Sequence, residues 1–351
     1  MIQYFIAALG ISALSTYFVR KVMVHYGVID APKKQKRKIH KKAIPLGGGL
    51  ALFVSFFVVT GYAVLVSSQI GNDIAVNTLL GLFFGGAVLL VGGLLDDARN
   101  LRPRFQIIFP IIASITAMSF GIGIESVSAP GGVIQISDYN ITIHGLTQWA
   151  ILADFVVFFW LLGMMYTTKF LDGLDGLVVG VVGIGAIMMY FVSMQPQWFQ
   201  PEVGLLALIF AGSCFGFLLW NFHPAKIFLG EGGSVFAGFT LGILAIISGS
   251  KIATTLLVMA VPILDAFRVI VIRIQKKKPI FVGDAEHIHF RLLASGLSHR
   301  KAVFVLYSIA FLFGLSTLFL QSKQKLLALI LLCLLMLLAS MFFFNKDSDR
   351  S

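Results

Sequence analysis

The chain has 351 residues, 58% of them hydrophobic and only 12% charged, with a mean hydropathy of +0.92. That composition excludes a water-soluble domain, whose surface could not hide so many apolar side chains. A formal net charge of +11 invites comparison with nucleic-acid binders, but the basic residues lie between apolar runs, where membrane topology and anionic lipid account for them, so nucleic acid is not an expected partner.

Apolar runs of spanning length occur near 2–19, 46–66, 78–95, 107–124, 149–168, 174–194, 203–220, 233–249, 253–272, 302–320 and 325–344. They predict an all-α polytopic membrane protein of about eleven transmembrane helices, forming a single integral membrane domain over 1–351. The first run has no charge before it and Arg20-Lys21 after it, which reads as an uncleaved span with its N-terminus outside. Alternating from there leaves only Lys251, Lys323 and Lys325 outside and Arg268 within a span. Every other Lys and Arg falls inside, and the C-terminus is cytoplasmic. The outside segment 125–145 carries two alternating stretches, Val133-Ile134-Gln135-Ile136 and Asn140-Ile141-Thr142-Ile143, around Ser137-Asp138, and predicts a short β-hairpin over 133–143. Cys214 and Cys333 lie in apolar runs as small hydrophobes, with no disulfide or zinc site implied.

With that orientation the conspicuous polar motifs all fall on the inside. Asp96-Asp97 follows an apolar run at the membrane boundary, where unpaired charge is costly, and can be read as a solvated helix end or as a cation site. Asp172 and Asp175 repeat the situation at i, i+3, with Gly173 and Gly176 beside them. Two acidic pairs plus Glu231 at one bilayer level favour a divalent metal, and ligands that are all oxygen favour Mg²⁺, or Mn²⁺, over zinc. Mg²⁺ takes much of its shell from water and substrate phosphate, so a phosphate substrate is expected. Arg37, Lys38, His40, Lys226, His287, His289 and Arg291 are candidates to hold its oxygens, although each taken alone is more often a topology signal or a solvated loop residue. Asp265 and Arg268, at i, i+3 within a span, mark either function or a structural pair.

The ordered set of motifs resembles the polyprenyl-phosphate N-acetylhexosamine-1-phosphate transferase superfamily over nearly the whole chain. The residues that carry the likeness are Gly27 to Pro32, leading to Arg37-Lys38-Ile39-His40 and Pro45-Leu46-Gly47-Gly48; Gly93-Leu94-Leu95-Asp96-Asp97; and Phe170 to Leu177 with its Asp172-Gly173-Leu174-Asp175-Gly176 core. They continue with Asn221-Phe222, Pro224-Ala225 and Gly233-Ser234; Pro262 to Asp265 with Arg273; and Asp284 through His287-Ile288-His289 to Arg291-Leu292-Leu293. The resemblance implies transfer of a sugar-1-phosphate, N-acetylglucosamine-1-phosphate first among the choices, from a UDP-amino sugar to undecaprenyl phosphate with release of UMP. The phospho-N-acetylmuramoyl-pentapeptide branch is the alternative. It further implies that Asp96 or Asp97 prepares the lipid phosphate and that Asp97, Asp172 and Glu231 serve the metal. Lys169, Asp175 and Asn221 join the cations and histidines above as substrate-binding residues. Expected partners are the lipid phosphate, the nucleotide sugar and membrane lipid, with a homodimer as the assembly to test.

Four positions depart from the pattern. Gln106 stands where a lysine is expected, Lys169 where an asparagine is, Glu231 where an aspartate is, and Phe290 where a further histidine is. Lys169 places a cation where it competes with bound Mg²⁺. Either it replaces the charge missing at Gln106, or the chain is a degenerate paralogue that still binds lipid phosphate.

Overall fold

The computed structural model describes residues 1–31, 43–124, 126–129, 132–135, 140–143, 147–249, 252–275 and 287–320, with short pieces at 323–325, 327–331 and 334. In chain order its elements are α1 (Ile2–His25), β1 (Ile29–Asp30), β2 (Ile44–Pro45), α2 (Gly49–Leu65), α3 (Val76–Arg99), α4 (Pro103–Gln106), α5 (Ile108–Ser119) and strands β3 (Ser126–Ala129), β4 (Gly132–Gln135), β5 (Asn140–Ile143) and β6 (Thr147–Ala150). They continue with α6 (Ile151–Leu171), α7 (Leu177–Ser193), α8 (Pro201–Asn221), α9 (Gly230–Ile247), α10 (Ile252–Val258), α11 (Ala260–Gln275), α12 (Ile288–Ala294) and α13 (His299–Ser316).

This is a multi-pass membrane protein. Among the described residues α1, α3, α6, α8 and α9 are each long and apolar enough to cross a bilayer alone, and α10 with α11 makes a sixth if the bent pair is one span. Helices α2 and α7 are apolar and 17 residues long, at the lower limit for spanning. Helices α8 and α9 form the core, while Ile6, Leu14 and Phe18 of α1, Phe84 of α3, Phe155 and Phe159 of α6, and Phe311 of α13 turn exposed apolar side chains outward, as a lipid-facing surface requires.

Three expectations from the sequence take a different form. The run 107–124 is helical only over the 12 residues of α5, about 18 Å at 1.5 Å per residue, which is short of a bilayer core. The run 253–272 is two helices meeting at 74°. Pro262 has no N–H to give to the Val258 carbonyl, and α10 ends at that residue. The segment expected to fold as one hairpin over 133–143 forms two. Strand β4 pairs antiparallel with β3 (Ala129 opposite Gly132), and β5 pairs with β6 (Ile143 opposite Thr147). Alternation identifies a strand but leaves its partner open, and each strand here takes a neighbour outside 133–143. Most of the run 325–344 lies outside the described residues.

The helices meet where side chains are absent. A Cβ on Gly93 of α3 would collide with the backbone of Gly232 in α9, and a Cβ on Gly49 of α2 would collide with Gly233. Close glycine contacts of this kind are a common means of helix association in lipid. They bring the end of α3, the start of α2 and the start of α9 together, and the chain is stitched there by Gly48 N–H to Phe228 O, Gly49 N–H to Leu229 O and Phe228 N–H to Pro45 O, at 3.0, 2.8 and 2.8 Å. At the opposite end Glu202, 5% exposed, accepts the backbone N–H groups of Gly71, Asn72 and Ile74 at 3.0, 2.8 and 2.9 Å, tying the α2–α3 loop to the start of α8.

Candidate active site

Helix α3 stops at Asn100, whose left-handed backbone (φ 50°) and N–H bond to Asp96 O at 2.7 Å close the last turn and leave the paired aspartates at its end. Asp96 is buried. Its Oδ1 accepts from Leu101 N–H at 2.7 Å, and Gln106 Nε2 donates to both of its oxygens at 3.1 and 3.0 Å. Gln106 Oε1 in turn accepts from Lys169 Nζ of α6 at 2.9 Å, and the same ammonium lies 2.8 Å from Glu231 Oε2 at the start of α9. Glu231 donates its backbone N–H to Asp97 Oδ1 at 3.1 Å. Asp96, Gln106, Lys169, Glu231 and Asp97 thus form one polar chain across four helix ends, those of α3, α4, α6 and α9. Three of the four departures noted in the sequence, Gln106, Lys169 and Glu231, are consecutive members of it.

Beyond α6 the chain makes a tight turn over Asp172 to Gly176, where Gly176 adopts φ 81° to start α7. Asp172 accepts no hydrogen bond among the described residues. Its side chain reaches solvent, yet the protein packed around the turn, followed by the charges of Glu231, Asp97 and Asp175, pushes its carboxyl above the ordinary carboxylate range. Crowding of negative charge is the condition a divalent cation relieves. Asp97, Asp172 and Glu231 therefore fit Mg²⁺ by chemistry. Among the described residues their oxygens do not all lie within 4.8 Å of one another, so they make an open cluster that leaves room for water and phosphate instead of a closed cage.

The group whose donor atoms do lie within 4.8 Å is Asp175, His223 and His299. His223 Nδ1 is 2.6 Å from Asp175 Oδ2, which also accepts from Ala225 N–H at 3.1 Å, and the His223 and His299 rings stack at 4.0 Å and 16°. Lone pairs in nearly parallel ring planes do not converge on one ion, so this is a hydrogen-bonded stack and not a metal cage. Neither histidine stands out in the sequence. His223 precedes Pro224 in a turn and His299 opens α13, 76 positions later in the same numbering.

Other candidates find different surroundings. Asn221, expected at the substrate, is buried and fully engaged: Oδ1 accepts from Gly176 N–H and Nδ2 donates to Ile227 O, both at 2.9 Å, so its amide clamps the turn. Lys226, also expected there, holds its ammonium over the Trp220 ring at 5.2 Å. His287 stacks on Phe170 at 5.8 Å. His289 is 1% exposed with its ring against Gly173, and burial, then the charge of His287, draws it below the ordinary imidazole value. Arg291 lies on α12. Arg37, Lys38 and His40 lie outside the described residues.

The family model for glycosyl transferase family 4 matches residues 79–249, which include the paired aspartates, the Asp172–Gly176 turn and Glu231. The chain is 31% identical over 340 residues, 95% of its length and 88% of the relative's, to a "Probable undecaprenyl-phosphate N-acetylglucosaminyl 1-phosphate transferase" of Bacillus subtilis. The chain belongs to glycosyl transferase family 4. It is 27% identical to a decaprenyl-phosphate N-acetylglucosaminephosphotransferase of Mycolicibacterium smegmatis over 86% of this chain and 79% of that one. It is 28% identical to a phospho-N-acetylmuramoyl-pentapeptide-transferase of Bacillus cytotoxicus over 88% and 92%. As a family member this chain is a transferase of the membrane, and the polar chain of Asp96 to Asp97 lies within the part that the family model covers.

Proposed function

We propose that this transferase moves N-acetylglucosamine-1-phosphate from its UDP-sugar to undecaprenyl phosphate, releasing UMP, at the cytoplasmic face of the membrane. An oxygen of the lipid phosphate forms a bond to the β-phosphorus of the nucleotide sugar. The bond from that phosphorus to the oxygen bridging it to the α-phosphate breaks, and UMP leaves with that oxygen. The observation that carries the reading is the gathering of Asp97, Asp172 and Glu231 beside Lys169 at one end of the bundle, in a chain whose relative from Bacillus subtilis bears that activity in its name.

Two anionic phosphates must approach each other, so catalysis consists mainly of positioning and charge neutralisation. Bound by Asp97, Asp172 and Glu231, Mg²⁺ (or Mn²⁺) would supply most of that neutralisation. Asp96 has both oxygens engaged by Leu101 and Gln106, which fixes the end of α3. Among the described residues Asp97 has one hydrogen bond, at Oδ1, which leaves Oδ2 as the carboxylate oxygen to prepare the lipid phosphate. Lys169 adds a positive charge beside Glu231.

The test uses purified protein with undecaprenyl phosphate and Mg²⁺, following UMP release from UDP-N-acetylglucosamine and, separately, from the UDP-N-acetylmuramoyl-pentapeptide. Release only from the second assigns the chain to the branch of the Bacillus cytotoxicus relative, and release from neither rejects the reading. The orientation, with the N-terminus outside and the C-terminus inside, belongs to the same proposal. Protease access to a tag at residue 1 from the cytoplasmic side would overturn it.

A further inference from the structure

Asp265 lies in α11, 3% exposed, and both of its oxygens are occupied. Oδ1 accepts from Arg268 Nη2 at 2.7 Å, which completes the i, i+3 ion pair already visible in the sequence. Oδ2 does something the spacing could not reveal. It lies 2.9 Å from His287 Nδ1 and accepts from the backbone N–H of Ile288 at 3.0 Å. One carboxylate therefore grips two consecutive residues at the start of α12, more than twenty positions further along the chain.

The grip carries on to the acidic turn. The His287 and His289 rings lie 5.6 Å apart and within 3° of parallel, and His289 fits against Gly173 so closely that a Cβ there would collide with its ring. Gly173 sits between Asp172 and Asp175. A carboxylate paired with arginine is an acceptor only, so the proton of the shared bond is on His287 Nδ1, and Nε2 is the nitrogen left for a ligand.

We propose that Asp265 is a positioning residue: it docks the His287–His289 segment onto the Asp172–Gly176 turn and holds His287 with Nε2 available to the nucleotide sugar. The docking is a property of the fold. The ligand half rests on the transferase reading above.

The two halves are tested separately. Without substrate, carboxyethylation of histidines by diethyl pyrocarbonate is mapped by peptide mass spectrometry, with exposed His25 as the internal standard. In the wild type His287 and His289, both buried, react slowly. In Asp265→Leu they should react about tenfold faster or more, as loss of hydrogen bonds to a charged group implies. Asp265→Asn keeps an acceptor for Ile288 and His287 and should retain most of the protection, so it also serves if the leucine variant does not accumulate. Kinetically, Asp265→Leu should raise KM for the UDP-sugar about tenfold and Asp265→Asn far less, while both leave KM for undecaprenyl phosphate within about twofold, a split that general loosening would not produce. Unchanged histidine protection in Asp265→Leu, or loss of protection in Asp265→Asn equal to that at a control core position, overturns the docking. Equal changes in both KM values overturn the ligand half. Failure of the wild type to release UMP rejects the transferase reading and with it the ligand half, while the protection map still decides the docking.

Discussion

Gln106 and Lys169 are 63 positions apart and joined by a 2.9 Å hydrogen bond, which makes an exchange of charge between them directly testable. In the structure Gln106 spans Asp96 and Lys169, so a lysine at 106 would reach Asp96 itself, and an asparagine at 169 would leave Glu231 without its cation. The charge is moved one link along the chain and the site's total is preserved. Breaking a hydrogen bond to a charged group costs about 1.5–3 kcal/mol, and the 40% exposure of the Glu231 side chain pulls the value toward the lower end. Lys169→Asn alone should therefore slow UMP release about tenfold. The double variant Lys169→Asn with Gln106→Lys should recover most of the rate, with a coupling of about 1–2 kcal/mol across the cycle. The assay is initial-rate UMP release at saturating Mg²⁺ for the wild type, both single variants and the double. A rise in turnover in Lys169→Asn alone would refute the exchange, because a cation that hinders Mg²⁺ cannot also supply needed neutralisation. In that case Lys169→Asn with Glu231→Asp should raise activity further, as expected of a degenerate site being restored.

Asp97→Asn should abolish exchange of UMP into the nucleotide sugar with normal protein levels, since its amide oxygen can still accept from Glu231 N–H while the charge is lost; retained exchange would remove the paired aspartates from the mechanism. Chelation of divalent ions should stop UMP release and Mg²⁺ or Mn²⁺ should restore it, whereas undiminished release in excess chelator would count against the carboxylate cluster as a metal site. Glu202→Ala should leave three backbone N–H groups without their acceptor, lowering stability by about 2–3 kcal/mol and exposing the 67–75 loop to protease at unchanged kcat, because the anchor lies at the far end from the site. Gly93→Val should lower the detergent-solubilised melting temperature through a collision worth about 1–3 kcal/mol or more, read by thermal unfolding against Gly10→Val, which meets open space.

The apolar runs and the bias of Lys and Arg group the acidic motifs on one side of the expected topology, because alternation of spans constrains which loops share a face, and the structure brings Asp97, Glu231 and Lys169 together. What periodicity cannot express is a partner. Nothing local marks Gln106 as the neighbour of Lys169, or Asp265 as the holder of His287, since each bond joins segments set beside one another by helices packed elsewhere. The external strands show the same limit: the alternation was visible, but pairing depends on residues outside the window. At Asn221 and Lys226 side-chain chemistry is legible in the sequence and direction is not: the amide bonds Gly176 and Ile227, and the ammonium lies over Trp220.

The glycine seam between α3 and α9 sits one turn below the bond from Glu231 N–H to Asp97, since Gly93 precedes Asp97 by four positions and Gly232 follows Glu231. The main-chain spacing beneath these two acidic residues is therefore set by backbone resting on backbone. Changes in bilayer thickness or lateral pressure act on lipid-facing side chains and on jointed segments such as the 74° break between α10 and α11. They have no soft element to act on at this seam. The backbone spacing under the carboxylates is thus expected to stay constant between membranes of different composition, and any lipid dependence of turnover should be traceable to α10 and α11.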